Sequence, residues 1–279
     1  MPSKLSATTR YQNAALAYYL ALTKSNYLHY GYWQPLPQSA EDLTLPRFRQ
    51  AQEAYAHKLV NFIPQGVAQI LDVGCGIGGN ALKLLELGYQ IDGLAPDPCQ
   101  QQQFIETTGN RAGFYLSEFQ TFTPPHSYDL ILMSESSQYI DVEDLARVAR
   151  SCLDRGGYLL LADMLRRDQN YIQGIFSNCH QVDQLQAALQ QAGFRLVELE
   201  DISVGVAPTL DLCLENLHTF GISTFSYIAD VISIAVPPIY SLLSWCYDTW
   251  AKKLVVEGLA CRQIFDRHLC YQVQLWQLD

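Results

Sequence analysis

The stretch ILDVGCGIGGNALKLLELGYQIDGLAPDPCQ, residues 70–100, decides the fold. It opens as a short apolar strand and passes through a glycine turn. It then enters a helix, NALKLLELG, that Gly88 closes as a C-terminal cap, and leaves on a second strand, YQIDGLA. The turn carries Gly74, Gly76, Gly78 and Gly79. Gly74, Gly76 and Gly79 spell GxGxxG, a spacing that lets backbone pass close to a ligand where a Cβ would obstruct it.

The same alternation continues outward. AGFYLSEF holds a third strand, YDLILMS (128–134) a fourth, YLLLADM a fifth and RLVELEDI (195–202) a sixth. Helices are expected at VEDLARVARSCLDRGG, with a glycine stop, and at QVDQLQAALQQAGF. The apolar run of residues 128–134 is what a strand buried on both faces requires. CYQVQLWQL (270–278) reads as a displaced last strand. Upstream, residues 7–24 and 46–62 read as helices, the second with Pro46 in its first turn. The expected fold is therefore α/β: a mainly parallel, Rossmann-like sheet with helices on both faces, an N-terminal helical lid and a helical cap inserted before the last strand. The expected divisions are a lid over 1–62, a ligand-binding core over 63–202, a cap over 203–268 and the last core strand over 269–279.

Composition narrows the function. Of 279 residues, 49% are apolar and 16% charged, so a well-buried globular chain is expected. The net charge is −10 and Lys and Arg do not cluster, which argues against nucleic acid as a partner. The eight cysteines form no CxxC pair, as expected of buried thiols in a reducing compartment and not of a metal site. The first residues show no secretory signal, so a cytoplasmic protein is expected.

Asp72 separates the two cofactor classes that share the glycine turn. It lies two residues before Gly74, where a carboxylate would repel the pyrophosphate of NAD. S-adenosyl-L-methionine has no phosphate; its ammonium and sulfonium are attracted by that carboxylate. The turn therefore reads as a site for S-adenosyl-L-methionine, with S-adenosyl-L-homocysteine as the product. An acid after the second strand would hold the ribose, but that slot is Ala95, which leaves Asp97 or Gln100 for the task.

With these residues in view, LDVGCGIGG resembles the cofactor motif of class I S-adenosylmethionine-dependent methyltransferases, with a seven-stranded sheet. LHYGYWQP, GLAPDPCQ, SESSQYI (134–140) and EDISVGVAPTLD (200–211) resemble segments of the tocopherol methyltransferases and of the cyclopropane fatty acid synthases. The resemblance implies that Asp72, Gly74, Cys75 and Gly76 hold the methionine part, that Ala95 and Pro96 flank ribose and adenine, and that Gln100 contacts ribose. It places Ser117, Glu118 and Phe119 beside adenine, Glu135 near the methyl group, and Tyr32 and Trp33 in a lid over the cofactor. The sequence departs from the family pattern at Ala95, at Gln138 and Tyr139, at DRGG and at DPCQ.

Methyl transfer needs orientation first and a base only if the acceptor must lose a proton. Glu135, Tyr139 and His29 are the candidates for that task. The aromatic run Tyr27, Tyr30, Tyr32 and Trp33 could close over a sulfonium by cation–π contact. The apolar stretch of residues 222–245, broken by Asp230 and Pro237–Pro238, is too interrupted for a membrane span. It is expected to line a pocket for a lipophilic small-molecule acceptor or to touch a membrane surface peripherally. The expectation is a methyltransferase acting on carbon, oxygen or nitrogen of a hydrophobic or aromatic metabolite. A catalytically inactive S-adenosylmethionine-binding protein and a cyclopropane synthase-like lipid enzyme are the alternatives.

Overall fold

The seven strands of the computed structural model run in the order β3-β2-β1-β4-β5-β7-β6. Residues 20–216 and 258–279 are described. The helix expected over 7–24 enters the described region only at residues 20–23, which are helical, and the stretch 222–245 lies outside it. The strands are β1 (Gln69–Val73), β2 (Gln90–Ala95), β3 (Gly113–Leu116), β4 (Tyr128–Ser134), β5 (Leu153–Arg166), β6 (Phe194–Asp201) and β7 (Leu269–Leu278). The first five pair in parallel. The last strand, β7, inserts antiparallel between β5 and β6.

Four of the described α-helices have a local start signal. In α1 (Leu45–Asn61), the Thr44 side chain accepts from the Arg47 N–H and Pro46 occupies the first turn. Gly78, with a left-handed φ of 89°, opens α2 (Gly79–Glu86). Asp97 caps α3 (Pro98–Thr108) by accepting from Cys99 N–H, and Asp141 caps α4 (Val142–Cys152) from Glu143 and Asp144 N–H. The others are α5 (Val182–Gln191), α6 (Ser203–Asn216) and α7 (Cys261–His268). One expectation needs correction. The helix before β5 ends at Cys152 with Leu153 already extended, and Asp154–Gly157 belong to β5 instead of a glycine stop. Leu153 pairs with Tyr128, and that sheet pairing wins over a helical cap.

The sheet is covered on both sides, and strand alternation sorts its side chains. Ile70, Leu130 and Leu132 pack with Tyr55 and Leu59 of α1, Leu84 of α2, Phe104 of α3, Leu210 of α6 and Phe265 of α7. Leu71, Ile131 and Met133 pack with Leu145 of α4 and Leu189 of α5. The parallel strands thus end together at one edge, where the chain must turn and where ligands of open α/β sheets bind.

Candidate active site

That edge carries a cavity of about 550 Å³, lined by the loops after β1, β2, β3 and β4 and by residues 26–29 of the N-terminal segment. The glycine turn makes its floor. Gly74 has a φ of +71°, and a Cβ there would collide with the Cβ of Ser136. Ser136 is held in place because its hydroxyl donates to Val73 O at 2.6 Å. A Cβ on Gly79 would strike the carbonyl oxygen of Asn26, so the N-terminal segment lies directly on the start of α2.

Asp72, the penultimate residue of β1, lies beside this turn and is 2% exposed. Its Oδ2 has no partner among the described residues. Burial raises its pKa to about 7. A carboxylate left unpartnered on a cavity wall is costly unless a cation completes it. His29 closes the same wall. Its Nδ1 lies 2.8 Å from Tyr30 O, and since a carbonyl only accepts, Nδ1 carries the proton. Burial lowers the His29 pKa to about 4, so the ring is neutral and Nε2 is an acceptor. Nε2 has no partner in hydrogen-bonding geometry, and Asn80 stands beside it.

Glu135 follows β4 and takes a left-handed backbone with φ of 57°, a conformation that costs a non-glycine residue about 1–3 kcal/mol. Its N–H donates to Ala162 O at 2.9 Å. Its Oε1 accepts from Tyr30 N–H at 2.7 Å and from the Tyr271 hydroxyl at 2.8 Å. Burial, the largest influence, raises its pKa to about 8.

Gly74, Cys75, Gly76, Ala95, Pro96, Gln100, Glu118 and Phe119 line the cavity with Asp72, His29, Glu135 and Tyr139. Tyr139 is at its mouth, 71% exposed. Asp97 also lines it while capping α3. Three expected residues are elsewhere. Ser117 is outside the cavity and its hydroxyl donates to Glu118 O at 3.1 Å. Trp33 is stacked on Phe48 and donates from Nε1 to Thr209 Oγ1 at 3.0 Å. Tyr32 lies under Lys58 Nζ, 4.7 Å from the ring centre. These two rings anchor the N-terminal segment to α1 and α6, Tyr32 packing over Gly205 as well, and neither lines the cofactor cavity. Residues to which the sequence assigned no role also line the cavity, among them Asn26, Leu28, Asn80 and Gln138. Asn80 was within reach of sequence reasoning, because it occupies the first turn of the helix that the glycine motif opens.

With that geometry in hand, the comparisons place the chain. The methyltransferase domain family matches residues 47–199, more than half of the sequence. The O-methyltransferase resE of Aspergillus sclerotiorum is 27% identical over 205 residues, 66% of this chain and 74% of that protein. A 2-methyl-6-phytyl-1,4-hydroquinone methyltransferase of Synechocystis is 26% identical over 157 residues, 53% of this chain and 47% of that protein. The crystal structure of the [4+2]-cyclase SpnF matches with a TM-score of 0.70, covering 97% of this chain and 94% of that one at 16% identity, a likeness of fold. The chain belongs to the methyltransferase domain family, and it is a class I, S-adenosyl-L-methionine-dependent enzyme. The residues fit that cofactor: an unpartnered buried carboxylate suits an ammonium, and the glycine turn leaves room for close approach. Among the described residues no group of His, Cys, Asp and Glu could hold a metal, and no helix is long and apolar enough to cross a membrane.

Proposed function

We propose that the chain methylates a small, hydrophobic or aromatic metabolite at carbon, oxygen or nitrogen. The observation that carries this reading is the pairing, on one cavity wall, of the unpartnered Asp72 carboxylate with the Glu135 carboxyl beyond it. The cofactor, when bound, supplies a methyl group on a sulfonium, a leaving group that needs no acid. Asp72 would hold its ammonium, with Asn80 and His29 beside it. Gln100 and Asp97 would meet the ribose hydroxyls in place of an acid at Ala95, and Glu118 and Phe119 would flank the adenine. Gly74, Cys75, Gly76 and Pro96 complete the cradle. Glu135 is on the acceptor side: in its ionised form, reached above a pKa that burial raises to about 8, it accepts a hydrogen bond or a proton from the acceptor and orients it. Leu28, Ile77, Phe119 and Ile140 give the cavity an apolar share, which supports a lipophilic acceptor. The N-terminal lid over 1–62 and the cap over 203–268, with residues 222–245 lining the acceptor pocket or touching a membrane surface peripherally, are part of this proposal.

The test is calorimetric titration with S-adenosyl-L-homocysteine and with NADH, followed by transfer of label from S-adenosyl-L-methionine to a panel of phenols, prenylated rings and amines. Binding of the first alone and label on a lipophilic acceptor are expected. Binding without transfer to any acceptor would leave a cofactor-binding protein and sink the enzymatic reading of Glu135.

A further inference from the structure

Two fully buried tyrosines stand behind Glu135 where phenylalanine would fill the same space. Tyr55 comes from α1 and Tyr271 from β7, and both are 0% exposed. Their rings meet edge to face at 6.0 Å and 86°. The Tyr271 hydroxyl is 2.8 Å from Glu135 Oε1 and 2.7 Å from the Tyr55 hydroxyl, and Tyr55 is 3.1 Å from Ser134 Oγ. His29, which lines the cavity, stacks on Tyr55 at 4.2 Å.

We propose that Tyr271, backed by Tyr55, is a positioning residue that fixes the Glu135 carboxyl on the acceptor side of the cavity and favours its ionised form. In its ionised form Glu135 only accepts, so in that form Tyr271 must donate to it. The Tyr271 oxygen is then left to accept from Tyr55, and Tyr55 to accept from Ser134. The hydroxyl protons therefore run in one direction, Ser134 to Tyr55 to Tyr271 to Glu135, and each bond polarises the next towards the carboxylate. Both protein donors fall on Oε1, and Oε2 has no partner among the described residues.

The titratable groups around Glu135 are Tyr30 and His29 from the N-terminal segment, Tyr55 from α1, Tyr139 from its own loop, Asp163 from β5, Cys179 from the segment before α5 and Tyr271 from β7. None is a cation at neutral pH. Asp163 opposes ionisation by like charge, and burial opposes it more strongly. The hydrogen bonds from Tyr30 and Tyr271 are what work against both.

This inference rests on the assignment of Glu135 to the acceptor side, and its test does not need the acceptor. The full chain, labelled with carbon-13 at glutamate side-chain carboxyls, is titrated by NMR, and the Glu135 signal is assigned by its loss in Glu135→Gln. The Tyr271→Phe midpoint is expected to lie about one pH unit above wild type, the scale of one hydrogen bond to a charged group. Tyr55→Phe shifts it in the same direction by less. S-adenosyl-L-homocysteine affinity, which Tyr271 does not touch, stays at the wild-type value in Tyr271→Phe and reports that the variant is folded. An unmoved or lowered midpoint in the folded Tyr271→Phe protein overturns the proposal. If that variant does not fold, Tyr55→Phe decides, and an unmoved midpoint there overturns it equally. Failure of the wild type to bind S-adenosyl-L-homocysteine would instead remove the functional reading, whatever the titration shows.

Discussion

At Asp72 the chain accepts an expense that only a ligand can offset. A carboxyl that is 2% exposed, with Oδ2 unpartnered, is held at a pKa of about 7 by burial alone. Asp72→Asn keeps the shape and removes the charge. It is expected to weaken S-adenosyl-L-homocysteine binding roughly 10- to 100-fold, the worth of one charge-assisted hydrogen bond. Calorimetry measures this, and an unchanged affinity would take the ammonium away from Asp72. Gly74 makes a separate demand. Its left-handed φ and the closeness of Ser136 mean that Gly74→Ala should lower stability by about 1–3 kcal/mol and abolish cofactor binding together. Full binding with only lower stability would show that the turn can shift without harm to the site.

Among the elements, the N-terminal segment is tied down by partners far away in sequence. Gly31 N–H and Trp33 Nε1–H both donate to Thr209 Oγ1 on α6, at 3.1 and 3.0 Å. Gln52 of α1, 0% exposed, donates to Tyr27 O and His29 O. Trp33 N–H donates to Gly205 O at 2.8 Å. Thr209→Val preserves volume but strands two buried donors, which costs about 1–3 kcal/mol. The expected result is a lower melting temperature and faster proteolysis around Tyr30, with the sheet itself unaffected in limited digestion. Cleavage at the wild-type rate would mean that α6 does not hold this segment. The same ties explain why Tyr32 and Trp33 are anchors: they grip α1 and α6, and residues 26–29 are the part that reaches the cavity.

Across the whole molecule, buried carboxyls set how stability depends on pH. Asp72, Asp163 and Glu135 have pKa values raised to about 7, 7 and 8 by burial. In the unfolded chain all three ionise near pH 4. Between those limits the folded state binds more protons, so their contribution to stability is present at low pH and lost as pH rises through the folded values. Burial lowers His29 to about 4 and lowers His180 as well, which opposes the trend, but only below the ordinary histidine value near 6.5. Between pH 6.5 and 8 the opposing histidine contribution fades, and towards pH 8 the buried thiols of Cys75, Cys152, Cys179 and Cys270, raised above the ordinary thiol value by burial, act in the same direction as the carboxyls. The melting temperature of the ligand-free protein is therefore expected to fall across that window, and Asp72→Asn to flatten the fall. A flat wild-type profile would contradict the burial of these groups.

Much of this was legible along the chain. The β1–turn–α2–β2 unit, the apolar run of residues 128–134 and the final strand were readable because hydrophobic period and glycine spacing are local properties. Asp72 beside the glycines separated the two cofactor classes by charge alone. Tertiary structure decided what depends on distant partners: that β7 runs antiparallel between β5 and β6, that β5 begins at Leu153 because it pairs with Tyr128, and that His29, not Trp33, faces the cavity. The Tyr55–Tyr271–Glu135 chain joins residues 80 to 216 positions apart. No local pattern encodes such a contact, because a hydroxyl in a buried tyrosine gains its meaning only from the group that the fold brings to it.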